Sequence, residues 1–180
     1  MWSLKGIARR SGKLFVAAVV AGAVSACFRP FYGPTATGER LSTALAQIEV
    51  QPIRTTLANE RIGHYLRSEL IFDLDGSGEP PPKRYKLSII ITDSLQTPIV
   101  DTQTGRAVSA TLNTNANYTL TNWDGSQKIA EGLATSSATY ERTAQRFADV
   151  RAARDAEIRS AKLLSEQIRT RLSAVLVSKS

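Results

Sequence analysis

One cysteine, one histidine and one methionine in 180 residues leave little for redox chemistry, transition-metal binding or histidine-based acid–base catalysis. Cys27 has no second cysteine to pair with, so the fold has to stand on packing alone. His64 sits beside Tyr65 in an amphipathic stretch and reads as a surface or boundary residue; a catalytic dyad would need it plus scattered carboxylates. The patterns G-x-x-x-x-G-K-S/T, G-x-G-x-x-G and H-E-x-x-H are missing, which removes phosphate-cradling loops and zinc-hydrolase sites as motifs. Asp73 and Asp75 before Gly76 resemble the start of a calcium loop, but three prolines at 80–82 replace the rest of it. No cofactor, no metal and no enzymatic activity are expected. A bilayer-spanning run is lacking as well. The apolar stretch from Leu14 to Val24 falls short of the roughly 20 residues a spanning helix needs before Ser25, Arg29 and Pro30 interrupt it.

That stretch, "LFVAAVVAGAVSACFRPFYG" with a basic head in front of it, has the three parts of an export signal: charged n-region, apolar core and small-residue cleavage site. Val24-Ser25-Ala26-Cys27 resembles the bacterial lipobox. Cleavage is expected after Ala26, and Cys27 is the expected lipidation site. Residue 28 is Phe and not the Asp that holds many lipoproteins at the inner membrane, so an outer-membrane destination facing the periplasm is expected. The net charge of +7 would otherwise point to nucleic acid, but Lys5, Arg9, Arg10 and Lys13 account for four of those charges and leave with the signal. An exported protein does not meet nucleic acid. In the remainder, the basic character lies at the end of the chain, where Arg142, Arg146, Arg151, Arg154, Arg159, Lys162, Arg169, Arg171 and Lys179 outnumber the acids. It reads either as a solvated helix face or as an electropositive surface for an anionic glycolipid or acidic partner.

Residues 1–26 are thus read as a lipoprotein signal peptide, 27–46 as a lipidated tether and 47–180 as a single domain. Gln47 to Ile53 suits a short strand near an edge, because Pro52 lacks an N–H. Ile62, Tyr65, Leu66 and Leu70 recur at helical spacing between Thr56 and Asp73, with Thr56 or Asn59 as N-cap. "DLDGSGEPPPKR" is a loop. Three long strands follow. Tyr85, Leu87, Ile89 and Ile91 share one face of the first, and Val108, Ala110, Leu112, Thr114, Ala116, Tyr118 and Leu120 share one face of the second. The third runs from Lys128 to Tyr140, with Gly132 as a bulge or a close-packing point. The Asn, Ser and Thr residues of the second strand's other face read as solvent-facing, or as a hydrogen-bonding surface for a partner's β-rich wall. From Thr143 to Val177, Phe147, Val150, Ile158, Ala161, Leu164, Ile168, Leu172 and Val175 form one stripe without glycine or proline, which predicts a helix long enough to cross the sheet and overhang it. The expected fold is α+β in the order β-α-β-β-β-α, a mixed, mostly antiparallel four-stranded sheet with two helices packed on one face.

Three segments resemble one known family. "CFRPFYG", "NANYTLTNWDGSQKIAEG" and "YERTAQRFADVRAARDAEIRSAKLLSEQIRTRL" are similar to the start, the strand–turn–strand and the closing helix of the LPS-assembly lipoprotein (LptE) family of alphaproteobacterial type. The one departure is the glycine missing between Cys27 and Phe28. The resemblance implies a non-enzymatic outer-membrane lipoprotein that plugs the β-barrel of LptD, supports its assembly and contacts lipopolysaccharide. The family's basic contacts in or near strand-joining loops fall here on Arg106 and Lys128. The alternative is an auxiliary lipoprotein subunit of a periplasmic ABC-type lipid transport system, which can share a lipobox and a small α+β plan.

Overall fold

The computed structural model describes residues 40–55, 60–76 and 81–179. Ala26, Cys27, the "CFRPFYG" segment and the N-cap candidates Thr56 and Asn59 lie outside the described residues. The elements are α1 (Leu41–Ala46), β1 (Ile48–Val50), β2 (Arg54–Thr55), α2 (Glu60–Asp75), β3 (Tyr85–Gln96), β4 (Ser109–Asn122), β5 (Lys128–Glu141) and α3 (Arg146–Lys179). β3, β4 and β5 form an antiparallel meander, and β1 and β2 both run parallel to β3 along its outer side. The expected α+β fold is therefore present, with its edge strand in two pieces. Val50 lies opposite Leu87 and Arg54 opposite Ile90, so the outer strand carries one residue more than β3 between those points. Pro52 sits in that bulge, where its missing N–H breaks no ladder bond, and Gln51 N–H still reaches Leu87 O at 3.0 Å.

Alternation decides what the sheet buries. Leu87, Ile89 and Ile91 of β3 face Leu120, Tyr118 and Ala116 of β4, and Ala134 follows on β5; all belong to one core. From above, α2 adds Ile62, Leu66, Leu70 and Leu74, while α3 adds Ala161, Leu164, Ile168, Leu172 and Leu176. Their spacing of mostly four keeps each row on one side of its helix. Thr114, in the middle of the buried face, is reached by the Ser160 hydroxyl at 3.4 Å, and Ser160 is bonded in turn to Ser136. Gly132 also lies on this face, directly opposite Tyr118, and is a close-packing point. The register shift of β5 falls elsewhere: Leu120 pairs with Ala130 and Thr121 with Lys128, which leaves Ile129 as the extra residue.

Four expectations change. Residues 41–46 are not tether: Leu41, Ala44 and Leu45, at helical spacing, enter the core through α1, so the packed domain begins no later than Leu41. Phe147 and Val150 do not join the core, being 75% and 55% exposed. Arg159 of α3 bonds Thr139, only two residues from the end of β5, so the first turns of the helix project past the strand and their apolar stripe has no sheet beneath it. At the far end Leu176, rather than Val175, is the buried residue. Val108 likewise precedes β4 and is exposed instead of opening the buried face.

The two long helices are also braced by charge. Arg61 of α2 donates through Nε and Nη2 to the two Glu157 oxygens of α3, at 3.2 and 2.8 Å. Ser165 Oγ donates to Asp73 Oδ2 at 2.7 Å. The hydrogen bond to Glu157, and then the charge of that carboxylate, raise the Arg61 pKa above its ordinary value. The Glu157 side chain is only 5% exposed, whereas that of Arg61 is 55% exposed. Arg61→Ala leaves a nearly dry carboxylate without its main partner. The full penalty for a wholly buried pair is about 3–5 kcal/mol. With one partner half in water, a loss of about 1–3 kcal/mol is expected, read as a lower denaturant midpoint at unchanged m-value. Glu157→Leu added to Arg61→Ala should recover most of it.

Candidate functional site

Both long helices pack on one side of the sheet, and among the described residues its other side is open. Cross-strand rows on that side read Ser88–Thr119–Glu131, Ile90–Asn117–Leu133, Thr92–Asn115–Thr135, Ser94–Asn113–Ser137 and Gln96–Thr111–Thr139. The last four rows contain no charged side chain, on a chain in which 22% of residues are charged. Ile90 and Leu133, both exposed, flank Asn117, and the Thr111 and Thr139 hydroxyls bond each other at 2.9 Å. Depletion of charge at the centre of a surface is a compositional mark of interfaces, since charges are costly to desolvate.

The charged groups collect at the two ends. At the β3–β4 end, Asp101 Oδ1 accepts the N–H groups of Gln103 and Thr104 at 2.9 and 2.7 Å, and the Thr104 hydroxyl at 2.9 Å. The bonds from Thr104, followed by that from Gln103, hold the Asp101 carboxyl below its ordinary pKa. Gly105 has φ of +66°, a left-handed conformation that suits glycine, and Val100 bridges Ala107. This ordered tip brings Arg106 to the rim of an open depression of about 440 Å³, whose other rim residues include Arg142 and Thr143. Arg142 is set there by its own N–H, bonded to Val108 O at 2.9 Å, and its Nε lies 3.6 Å from Asp149 Oδ1.

The β4–β5 turn closes the opposite end. Asp124 accepts the Ser126 N–H and hydroxyl, which together with nearby Lys86 lower its pKa, and Gly125 has φ of +75°. Lys86 Nζ stands 4.5 Å over the Trp123 ring, a cation–π contact, while Lys128 Nζ is paired with Glu131 at 2.7 Å. Arg106 and Lys128 are therefore not brought together: they are separated by the 14-residue length of β4, about 45 Å. Each instead shares its end of the sheet with a basic residue missed by sequence reasoning: Arg142 lines the same depression as Arg106, and Lys86 lies in the same cross-strand row as Lys128 with Thr121 between them. Hairpin register could have found both, because Lys86, Thr121 and Lys128 form one cross-strand row and residue 142 follows directly on the end of β5.

His64 is exposed, with its ring edge-on to Tyr65. Among the described residues, no group of three or more His, Cys, Asp or Glu side chains is placed to hold a metal ion. No described helix is long and apolar enough to cross a membrane.

These features define a class: two-layer α+β domains in which two long helices cover one face of a meander and the other face stays open. Residues 45–172 match the family model for LptE, lipopolysaccharide-assembly, and the chain belongs to that family. Among solved structures, a lipoprotein from Caulobacter crescentus has a similar fold, with a TM-score of 0.59 at 23% identity over 77% of this chain and 97% of that one. The rare lipoprotein B from Shewanella oneidensis matches at a TM-score of 0.39 and 16% identity over 70% of this chain and 98% of its own. A minor lipoprotein from Acinetobacter baumannii matches at 0.48 and 14% over 72% and 92%. No curated protein sequence matches the chain.

Proposed function

We propose that the protein is a non-enzymatic outer-membrane lipoprotein that serves as plug and assembly partner of the LptD β-barrel and contacts lipopolysaccharide from the periplasmic side. The family match over residues 45–172 is the observation that carries this reading. The mature chain starts at Cys27 after cleavage at Ala26, and acyl chains on Cys27 hold it to the membrane. The open face supports a barrel partner: rows of Ser, Thr and Asn without charge can exchange hydrogen bonds with a polar β-wall without stranding an ion. The ends of the sheet support contact with a phosphorylated glycolipid. Arg106 and Arg142 can bind phosphate oxygens in the forked geometry of guanidinium groups, and Lys128 with Lys86 offers point charges at the other end. No cofactor is required.

The two ends should differ in weight. Lys128 is already paired with Glu131, so Lys128→Ala should change lipopolysaccharide binding less than Arg106→Ala combined with Arg142→Ala. Each charge-assisted bond contributes about 1.5–3 kcal/mol, so the arginine double variant should weaken binding by roughly tenfold or more. Binding of labelled lipopolysaccharide to the purified protein checks this. If the double variant and Lys128→Ala both bind as well as the parent, neither end is the contact.

A further inference from the structure

β5 is an edge of the sheet, and from Gly132 to Tyr140, "GLATSSATY", it contains no charged residue and no proline. Water-exposed edges usually carry such residues, because an unpaired row of N–H and C=O groups is a template for another strand. Here the protection comes from α3. Thr135 N–H donates to Gln167 Oε1 at 3.3 Å, and Gln167 Nε2 donates to Thr135 O at 2.9 Å. The side-chain amide thus takes both groups of one residue, as the peptides of a neighbouring strand would. Arg171 Nη1 donates to Leu133 O, and Arg159 Nη2 to Thr139 O at 3.1 Å.

The spacing is regular. Helix residues 159, 167 and 171 meet strand residues 139, 135 and 133, so four residues of α3 correspond to two of β5. Four helical residues rise about 6 Å and two strand residues about 6.8 Å, so one helix row stays in step with the outward-facing alternate residues of the strand. The row has one gap. The position in step with Ser137 is Leu163, an exposed side chain with no polar group to offer.

We infer that Arg159, Gln167 and Arg171 are a side-chain latch that closes the β5 edge to strand addition by a second copy of this chain. The copy is the fitting occupant because the segment is self-complementary. Antiparallel pairing centred on Ser136 sets Leu133 against Thr139 and Thr135 against Ser137, with no like charges opposed. It would also continue the uncharged open face across two molecules.

The test uses the full-length protein in density-matched detergent. By sedimentation equilibrium the parent should be monomeric and Gln167→Ala/Arg171→Ala should dimerise with rising concentration. Adding Thr135→Pro should restore the monomer, since the Thr135 N–H points outward and its loss costs no bond to β4. A double variant that stays monomeric, or a dimer that survives Thr135→Pro, would overturn the inference. Should the double variant not fold, Leu163→Gln in the parent tests the same latch by filling its gap: amide exchange at Ser137 should slow by roughly tenfold, and unchanged exchange there would overturn it.

Discussion

Replacing Cys27 with serine is expected to remove the protein from the outer-membrane fraction and to leave its N-terminus without acyl mass. The sulfur of Cys27 is the nucleophilic atom that the lipobox reading requires, and a hydroxyl does not substitute for a thiolate in that role. Each buried CH₂ of an acyl chain contributes about 0.8 kcal/mol; one chain holds a protein marginally, whereas two or more hold it stably. No described helix can take over, because none is long and apolar enough to span. The change is therefore close to all-or-none. Intact-mass analysis of the N-terminal peptide and fractionation of washed membranes read it directly. A parent protein with a free Cys27 thiol, or a serine variant that fractionates as the parent does, would remove the anchor from the account.

Gly132→Val should be the most damaging single change inside the domain. A Cβ at Gly132 would lie 2.5 Å from the Tyr118 hydroxyl oxygen, 2.7 Å from Cζ and 3.0 Å from Cε1. The tyrosine ring cannot swing clear, because Tyr118 is buried in the core beside Ile89 and Ala116. Overpacking of this kind costs about 1–3 kcal/mol for an added methyl, and a branched side chain adds to that. Against a domain stability of about 5–15 kcal/mol, Gly132→Ala should fold with a lowered melting temperature and Gly132→Val should yield little folded protein. A double-mutant cycle identifies the cause. In a Tyr118→Ala background, itself destabilised by a cavity, Gly132→Ala should become neutral or favourable, since alanine is the better strand residue once the ring is gone. Additive losses would mean that the ring is not what Gly132 accommodates.

The meander was legible because its residues obey one simple rule. Ala110 to Leu120 alternate with polar residues, and Leu87, Ile89 and Ile91 fall on every second position of β3, with Ile90 the one apolar residue between them, so strand, face and register could be read together. Gly132 stood out as the lone glycine of such a run, and the long closing helix followed from an apolar stripe without a breaker. What escaped depended on neighbours distant in sequence. Pro52 marks an edge strand, but only its pairing with β3 shows that the strand is split. "LSTALA" has helical spacing, yet it follows a proline- and glycine-rich stretch, which hid the turn that brings Leu41 and Leu45 into the core. Phe147 and Val150 fit the stripe of α3, and only the end of β5 shows that the sheet stops before reaching them. Of the candidate site, Arg106 and Lys128 could be named only through the family resemblance, which points to basic groups near strand-joining loops, and their separation and their neighbours Arg142 and Lys86 depend on the pairing of the strands. The side-chain contacts along β5 were the least visible feature: Arg159 and Arg171 read as part of a solvated face or an electropositive surface, and nothing in the sequence singles out Gln167 until the strand edge lies beside it.

The most direct test of the central claim is a pull-down of the full-length lipoprotein from membranes in mild detergent, with a photo-crosslinking residue at Asn117 in the middle of the open face and mass-spectrometric identification of what is attached. The account predicts an outer-membrane β-barrel of the LptD type, crosslinked at Asn117. Recovery of an inner-membrane permease or a substrate-binding component instead would contradict it and would favour an auxiliary subunit of an ABC-type lipid transporter.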